Sequence, residues 1–353
     1  MSTFAVDTSS PVLVTGATGY VAGWIVKQLL EAGATVHAAV RDPDNAGKVA
    51  HLKAMEGGTL KLFKADLLDE GSYDEAMAGC GVVFHTASPF TYNFKDPQKD
   101  MVDPALKGTR NVLEAANRTE SVQRVVVTSS CVAIFGDTVD IQDYPNQTMT
   151  EEQWNTTSTL THQTYSFSKV EAEKAAWEIA KGQDRWRLTV VNPGFVLGPG
   201  TATAQTSESF AIMKQMGDGT MAQGTAPFEV GMVDVRDAAE MHLRAAFMDE
   251  AQGRYITVSD RHSLLDMGKM LRGHFGDAYP FPKREMPKWL LWLVGPMVNS
   301  SFTRRTISRN MGYPWKFDNA KAKRELGMEF KPVEPAIIEM FQQMADAGTF
   351  KKA

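Results

Sequence analysis

The run Val12-Leu13-Val14-Thr15-Gly16-Ala17-Thr18-Gly19-Tyr20-Val21-Ala22 constrains this chain more than any other stretch. Three β-favouring apolar residues lead directly into a glycine-rich turn, and Trp24 to Leu30 follows with helical spacing. Strand, glycine turn and helix form the first half of a mononucleotide-binding βαβ unit. Gly16 permits a tight turn, and Gly19 lets a pyrophosphate approach the backbone. Ala22 is small enough for the helix to pack close on the strand. The N–H groups around Thr18, Tyr20 and Val21 then face the phosphates at the positive end of the helix dipole. An ordinary strand–turn–helix joint has the same spacing, so the reading depends on the rest of the chain.

Apolar strand-like runs alternate with helical segments up to about residue 197. The strands are Thr35 to Val40, Leu60 to Phe63, Val82 to His85, Arg124 to Thr128 and Leu188 to Asn192. Helices are expected over 44–55, 72–78, 100–117 and 165–181, with Ser72 and Glu75 as a capping box for the second. This alternation predicts an α/β protein with a Rossmann-type doubly wound parallel sheet. Beyond Pro193 the pattern loosens into glycines, prolines and short helical stretches. A dinucleotide-binding domain over 11–197 and a smaller, mostly helical substrate lobe over 198–350 are expected. A later strand near 254–258 is expected to join the sheet.

The residues after the second strand bear on the nucleotide. NAD-preferring units place an acid there, whereas this chain has Val40 followed by Arg41. A guanidinium binds a 2′-phosphate bidentately, and Lys48 adds a second positive charge in the next helix. Arg41 and Lys48 therefore favour NADP(H), although Arg41 is also what a solvated loop would hold. Asp66 and Leu67, after the third strand, suit either the adenine side of the cofactor or a simple turn cap.

Tyr165 and Lys169 lie four residues apart and share one helix face. A phenol works as an acid or base near neutral pH only if its anion is stabilised, and a lysine one turn away supplies that field. Thr128-Ser129-Ser130 ends the fifth strand at the same sheet edge, where a hydroxyl can polarise a carbonyl. Each feature is common by chance. Together with the glycine turn they form one constellation.

Composition removes several alternatives. Over 353 residues, 43% hydrophobic, the chain has ample material for a large core. A net charge of -5 provides no basic field for nucleic acid. The apolar stretch Trp289 to Val294 is too short to span a bilayer. No secretory signal is visible, and Cys80 and Cys131 have no metal-ligand spacing. A cytoplasmic protein with no metal, nucleic-acid or membrane partner is expected, a monomer in preference to a homodimer.

The sequence resembles the extended short-chain dehydrogenase/reductase superfamily, in its dihydroflavonol-reductase and aldehyde-reductase branch. The likeness runs through Thr15 to Ala22, Val40-Arg41-Asp42-Pro43, His85-Thr86-Ala87-Ser88-Pro89, Gly108 to Leu113, Thr128-Ser129-Ser130, Tyr165 to Lys169 and Asn192-Pro193-Gly194. It continues through Val233 to Ala239 and Asp318 to Gly327. The resemblance implies NADPH-dependent reduction of an aldehyde or ketone, or the reverse oxidation. It implies Ser130 as carbonyl polariser, Tyr165 as proton donor and Lys169 as its electrostatic partner. It also places Thr86, Ala87, Ser88, Pro193, Gly194 and Val196 beside the cofactor. Pro89, Phe90, Phe135 and Phe195 become candidates for an apolar or aromatic substrate pocket, each equally suited to core packing. Phe135 stands where flavonoid reductases carry an asparagine, which argues against a dihydroflavonol. Gln163-Thr164 replaces the Asn-Trp-Cys that precedes the tyrosine in plant cinnamoyl-CoA reductases, which argues against a CoA thioester. A sugar-nucleotide epimerase or dehydratase and a non-catalytic NADP(H)-binding protein are the competing readings. The missing acid at Val40 speaks against the first, and the intact Tyr165/Lys169 pair against the second.

Overall fold

The computed structural model describes residues 4–88, 95–202, 207–298 and 302–350. The first half runs β1 (Val12–Thr15), α1 (Tyr20–Glu31), β2 (Thr35–Val40), α2 (Ala46–Lys53), β3 (Thr59–Lys64), α3 (Asp74–Met77), β4 (Val82–His85), α4 (Asp103–Arg118) and β5 (Arg124–Thr128). Next come β6 (Thr148–Met149), α5 (Thr164–Lys181), β7 (Arg187–Pro193) and β8 (Phe195–Leu197). The second half contains α6 (Glu208–Gly217), β9 (Glu229–Asp234), α7 (Val235–Phe247), β10 (Gly253–Thr257), β11 (Asp260–Ser263) and α8 (Leu264–Phe275). It ends with α9 (Lys288–Val298), α10 (Arg304–Asn310), β12 (Lys316–Phe317), α11 (Ala320–Leu326) and α12 (Glu334–Asp346).

Seven parallel strands form the main sheet, in the order β10-β7-β5-β4-β1-β2-β3. The chain winds outward from β1 to β3 and then crosses to β4 on the other side of β1. That reversal leaves a crevice at the carboxyl ends of β1 and β4, where ligands bind in open sheets of this kind. Both sheet faces are covered, so β1 and β4 are buried at every position. One face packs Ile25, Val26 and Leu29 of α1 with Ala239, Met241 and Leu243 of α7 and Leu326 of α11. The other packs Met77 of α3 with Val112 and Leu113 of α4 and Ala176 and Ile179 of α5.

Elements from after residue 197 thus serve both regions. β10 completes the large sheet beside β7, and α7 and α11 cover it. A separate core unites Phe210 and Met213 of α6, Met267 and Leu271 of α8 and Ile337, Met340 and Phe341 of α12. A small sheet, β11-β9-β8, links this core to the carboxyl edge of the main sheet.

Two local expectations need correction. Ser72 caps no helix: α3 starts at Asp74, after Tyr73, with no side-chain cap. Ser72 Oγ instead donates to the Asp66 carbonyl at 2.8 Å and accepts from the Asp66 N–H at 3.2 Å, closing the loop after β3. The helix expected over 100–117 begins as a π-helical turn at Gln98–Val102, and α4 follows. Pro104 has no N–H to give to the Asp100 carbonyl, and the turn opens immediately ahead of it.

Candidate active site

The glycine turn is built as the sequence requires. Gly16 has φ +62°, and the Gly19 N–H donates to its carbonyl at 2.8 Å. A Cβ at Gly16 would lie 3.0 Å from the Ala87 Cβ and 3.1 Å from the Ala87 Cα. Glycine therefore lets the loop after β4 close onto the turn. Buried Thr15 fastens the two. Its Oγ accepts from the Thr86 and Ala87 N–H groups at 3.2 and 3.1 Å, and Thr86 Oγ donates to the Thr15 carbonyl. α1 begins at Tyr20 with no side-chain cap and no acid in its first turn, so its leading N–H groups are open to an anion. The Tyr20 side chain itself turns inward and donates from its hydroxyl to the Gly198 carbonyl at 2.5 Å. That burial raises the Tyr20 pKa well above the usual phenol range.

Arg41 and Lys48 are exposed, one at the end of β2 and the other in α2. Neither side chain has an ion-pair partner among the described residues. Asp66 Oδ1 accepts from the Leu68 N–H at 2.9 Å, a turn-capping contact. Leu67 packs against Gly108 of α4, and Asn111 donates to the carbonyls of Leu67 and Asp69. A glycine cradle without a Cβ, an uncapped helix start and two unpaired cations suit a dinucleotide bearing a 2′-phosphate.

Tyr165 and Lys169 sit in the first turns of α5, with the Lys169 Nζ 5.8 Å from the centre of the Tyr165 ring. Burial, aided by the charge of Glu208, pushes the Tyr165 phenol up to about 12. Burial pulls Lys169 down to about 8, against the opposing charge of Glu173. The charge of Lys169 also reaches His85. Burial and that charge drive His85 to about 3, and its Nδ1 lies 3.1 Å from Thr15 Oγ. His85, joined to the glycine turn through Thr15, thus lies within the field of Lys169.

The two serines after β5 have different surroundings. Ser129 is buried and donates to Glu173 Oε2 at 2.5 Å. Ser130 is half-buried, and among the described residues its hydroxyl makes only long contacts: it accepts from the Val132 N–H at 3.4 Å and donates to the Pro193 carbonyl at 3.5 Å. Its hydroxyl is the one available to a ligand. Gly194 is packed tightly, since a Cβ there would lie 2.3 Å from the Gly231 carbonyl oxygen. Val196 accepts from Ser209 through its carbonyl, and Phe195 packs against the lobe core. Phe135 lies 5.9 Å from the Trp315 ring. Pro89 and Phe90 lie outside the described residues. A cleft of about 950 Å³ that includes Trp154, Trp177 and Arg254 lies beyond the edge strand β10 and contains none of the residues selected from sequence.

Sequence reasoning missed the polar support beneath this site. Glu173, one turn after Lys169, is fully buried among Ser129, Asn192 Nδ2 at 3.0 Å and Arg254 Nε at 2.6 Å. The Arg254 Nε–H is not aimed at the carboxylate, so that contact is chiefly ionic. Arg254 also donates to the carbonyls of Glu151 and Gln153 and lies 4.1 Å above the Trp154 ring. A second network holds the entry to α5, where Gln163 has a left-handed φ of 56°. Gln163 Nε2 donates to fully buried Asp137 at 3.2 Å, and His162 Nε2 lies 2.7 Å from the same carboxylate. Arg309 and Asn310 of α10 donate to it as well. Burial would raise the Asp137 pKa, but these hydrogen bonds outweigh it and hold the carboxyl below its ordinary value. The visible signals were weak: a glutamate on the inner face of α5, and an arginine inside an apolar strand.

A family model described as the NAD dependent epimerase/dehydratase family matches residues 12–258. The chain belongs to this family. It is 34% identical over 345 residues to a cinnamoyl-CoA reductase of Medicago truncatula, covering 95% of each chain. It is 36% identical over 275 residues to the anthocyanidin reductase of Arabidopsis thaliana, covering 74% of this chain and 80% of that one. Among solved structures it is similar to the yeast methylglyoxal/isovaleraldehyde reductase Gre2 complexed with NADPH. That likeness has a TM-score of 0.77 at 25% identity and covers 96% of this chain and all of the other.

Proposed function

We propose that this chain reduces an apolar or aromatic aldehyde or ketone, with Tyr165 as proton donor, Ser130 as carbonyl polariser and Lys169 as electrostatic partner. At the coarser level the chain is an NADP-dependent oxidoreductase acting on C=O and CH–OH groups, with NADP(H) as its cofactor. The observation that carries the reading is the meeting of three groups at one sheet edge. Half-buried Tyr165 and buried Lys169 share the first turns of α5, and the half-buried Ser130 hydroxyl follows β5 at the carboxyl edge of the same sheet.

Bound NADPH supplies the hydride. Gly16, Gly19 and the uncapped start of α1 would hold its pyrophosphate, and Arg41 and Lys48 its 2′-phosphate. The Ser130 hydroxyl donates to the substrate oxygen and shares the negative charge that grows there. Tyr165 is protonated at neutral pH, since burial sets its phenol at about 12, and it gives that proton to the same oxygen. The phenolate left behind is costly in this buried place. Lys169, still largely cationic below about pH 8, lowers that cost from one turn away. Phe135 and Phe195 support an apolar or aromatic substrate.

The test is NADPH consumption against a panel of aldehydes, ketones and diketones, with NADH in parallel. On a substrate so found, Tyr165→Phe should lose about 10²–10⁴-fold in turnover, the usual contribution of general acid catalysis, while NADPH still binds. A folded Tyr165→Phe variant with most of its activity would refute the assignment.

A further inference from the structure

The apolar stretch at Trp289, too short to cross a bilayer, forms α9, and the catalytic reading gives it no role. α9 is apolar on two opposite sides. Its inner side places Leu291 against Ile307 and Met311 of α10, and a Cβ on Gly295 would lie 3.0 Å from Ile307. Its outer side carries Trp289, Trp292, Leu293, Pro296 and Met297. These fall at i, i+3, i+4, i+7 and i+8, the spacing by which a helix normally faces a core. Here they face solvent: Trp289 is 69% exposed, Trp292 43%, Leu293 52% and Met297 86%. Single exposed apolar residues are ordinary, but a continuous stripe of this kind marks a contact surface.

The surrounding charge indicates what covers it. From residue 283 to 309 the chain carries six Lys and Arg against one acid, Glu285, although its overall net charge is -5; Lys283 is paired with Asp277 and Arg309 with Asp137, which leaves Arg284, Lys288, Arg304 and Arg305. Arg304 and Arg305 at the start of α10 are exposed, and the Arg304 guanidinium lies 4.9 Å from the centre of the Trp292 ring. Exposed tryptophans, leucine and methionine on one helix face beside a basic collar match the composition of a bilayer-surface contact. The rings suit the headgroup level, the aliphatic side chains suit the acyl boundary, and the arginines meet anionic headgroups. A second copy fits less well, because a two-fold contact through this stripe would bring the arginines of both copies together. No described helix is long and apolar enough to cross a membrane, so any contact through α9 is peripheral.

We propose that α9 and the start of α10 dock this protein onto an anionic lipid surface, with Trp289, Trp292, Leu293 and Met297 inserted and Arg304 and Arg305 at the headgroups. The test is flotation of the full chain with vesicles at about 0.15 M salt, where exposed charges act over roughly 8 Å. One set is phosphatidylcholine alone, and the other includes phosphatidylserine at about three parts in ten to give a negative surface potential. The chain should float with the anionic vesicles and be released as salt rises. Arg304→Gln with Arg305→Gln should weaken that binding about five-fold per charge removed and leave the neutral vesicles unaffected. Trp289→Gln with Trp292→Gln should weaken it by about tenfold or more, from the lost apolar insertion. Both variants should keep their NADPH-dependent activity in solution. A measurement on the unaltered chain needs no variant: brominated lipid in the anionic vesicles should quench tryptophan emission. Absence of both flotation and quenching would overturn the proposal. So would a dimer in sedimentation that the tryptophan variant converts to monomer, since the stripe would then be a contact between copies.

Discussion

Replacing Glu173 by glutamine keeps the shape of the side chain and removes its charge. The carboxylate lies between Arg254 Nε at 2.6 Å, Ser129 Oγ at 2.5 Å and Asn192 Nδ2 at 3.0 Å, and both members of the ion pair are nearly fully buried. Removing one partner of a buried pair costs about 3–5 kcal/mol, because the other charge stays behind uncompensated. Arg254 keeps its bonds to the Glu151 and Gln153 carbonyls and its contact with Trp154, so the lower end, about 3 kcal/mol, is expected. Removing both charges, as Glu173→Leu with Arg254→Met, should recover the part of that loss that comes from the stranded charge, while Ser129, Asn192 and the Glu151 and Gln153 carbonyls, left without these partners, keep the double variant less stable than the parent. The same substitution acts on catalysis. The charge of Glu173 opposes the fall of the Lys169 pKa, which burial has taken to about 8. Without it Lys169 loses its proton at lower pH, and the alkaline decline of kcat/KM should move to lower pH. Urea unfolding gives the first quantity, and a pH profile of turnover gives the second. An unchanged urea midpoint together with an unmoved alkaline limb in Glu173→Gln would refute this account of the support beneath Lys169.

Arg41→Ala should weaken NADPH binding by about 1.5–3 kcal/mol, the scale of a charged hydrogen bond, and leave NADH nearly unaffected; titration of both cofactors checks it. Gly16→Ala combines a φ of +62° with a Cβ 3.0 Å from Ala87, so it should cost about 1–2 kcal/mol in backbone strain and at least tenfold in NADPH affinity. Thermal unfolding and cofactor titration read the two effects. Ser130→Ala should mainly slow turnover, whereas Ser129→Ala, which strips a hydrogen bond from Glu173, should lower stability by about 1–3 kcal/mol. Equal turnover losses in the two serine variants would contradict the different surroundings described for them.

The main sheet was legible because its strands are continuous apolar runs and its turns are marked by glycine. The spacing of Tyr165 and Lys169 was legible for a similar reason, since a four-residue interval on a helix fixes a shared face whatever the tertiary context. The buried charges were not. Glu173 meets Arg254 across 81 residues, and Asp137 meets Arg309 across 172. In the sequence each reads as a surface residue, because only the fold brings its partner to it. The π-helical turn before α4 was hidden as well, since hydrophobic spacing does not distinguish hydrogen bonding to the fourth residue from bonding to the fifth. α9 is the reverse case. Its apolar character was plain in the sequence, but which of its faces would be left in solvent depended on where α10 packs.

The strand order has a consequence for how this protein is made. During synthesis β7 emerges as the outer edge of a growing sheet and stays so for some sixty residues, until β10 is translated and pairs with it through Gly253–Thr257. α1, folded early, likewise waits for α7 before its apolar face is fully covered. A chain stopped at residue 197 would hold every element of the glycine turn and the Tyr165/Lys169 pair, yet present an unpaired strand edge and a sheet face covered only in part, by α1, to solvent. It should aggregate rather than bind nucleotide. The smallest independently folding piece that contains the glycine turn therefore extends at least through α11, past most of the lobe that was translated in between.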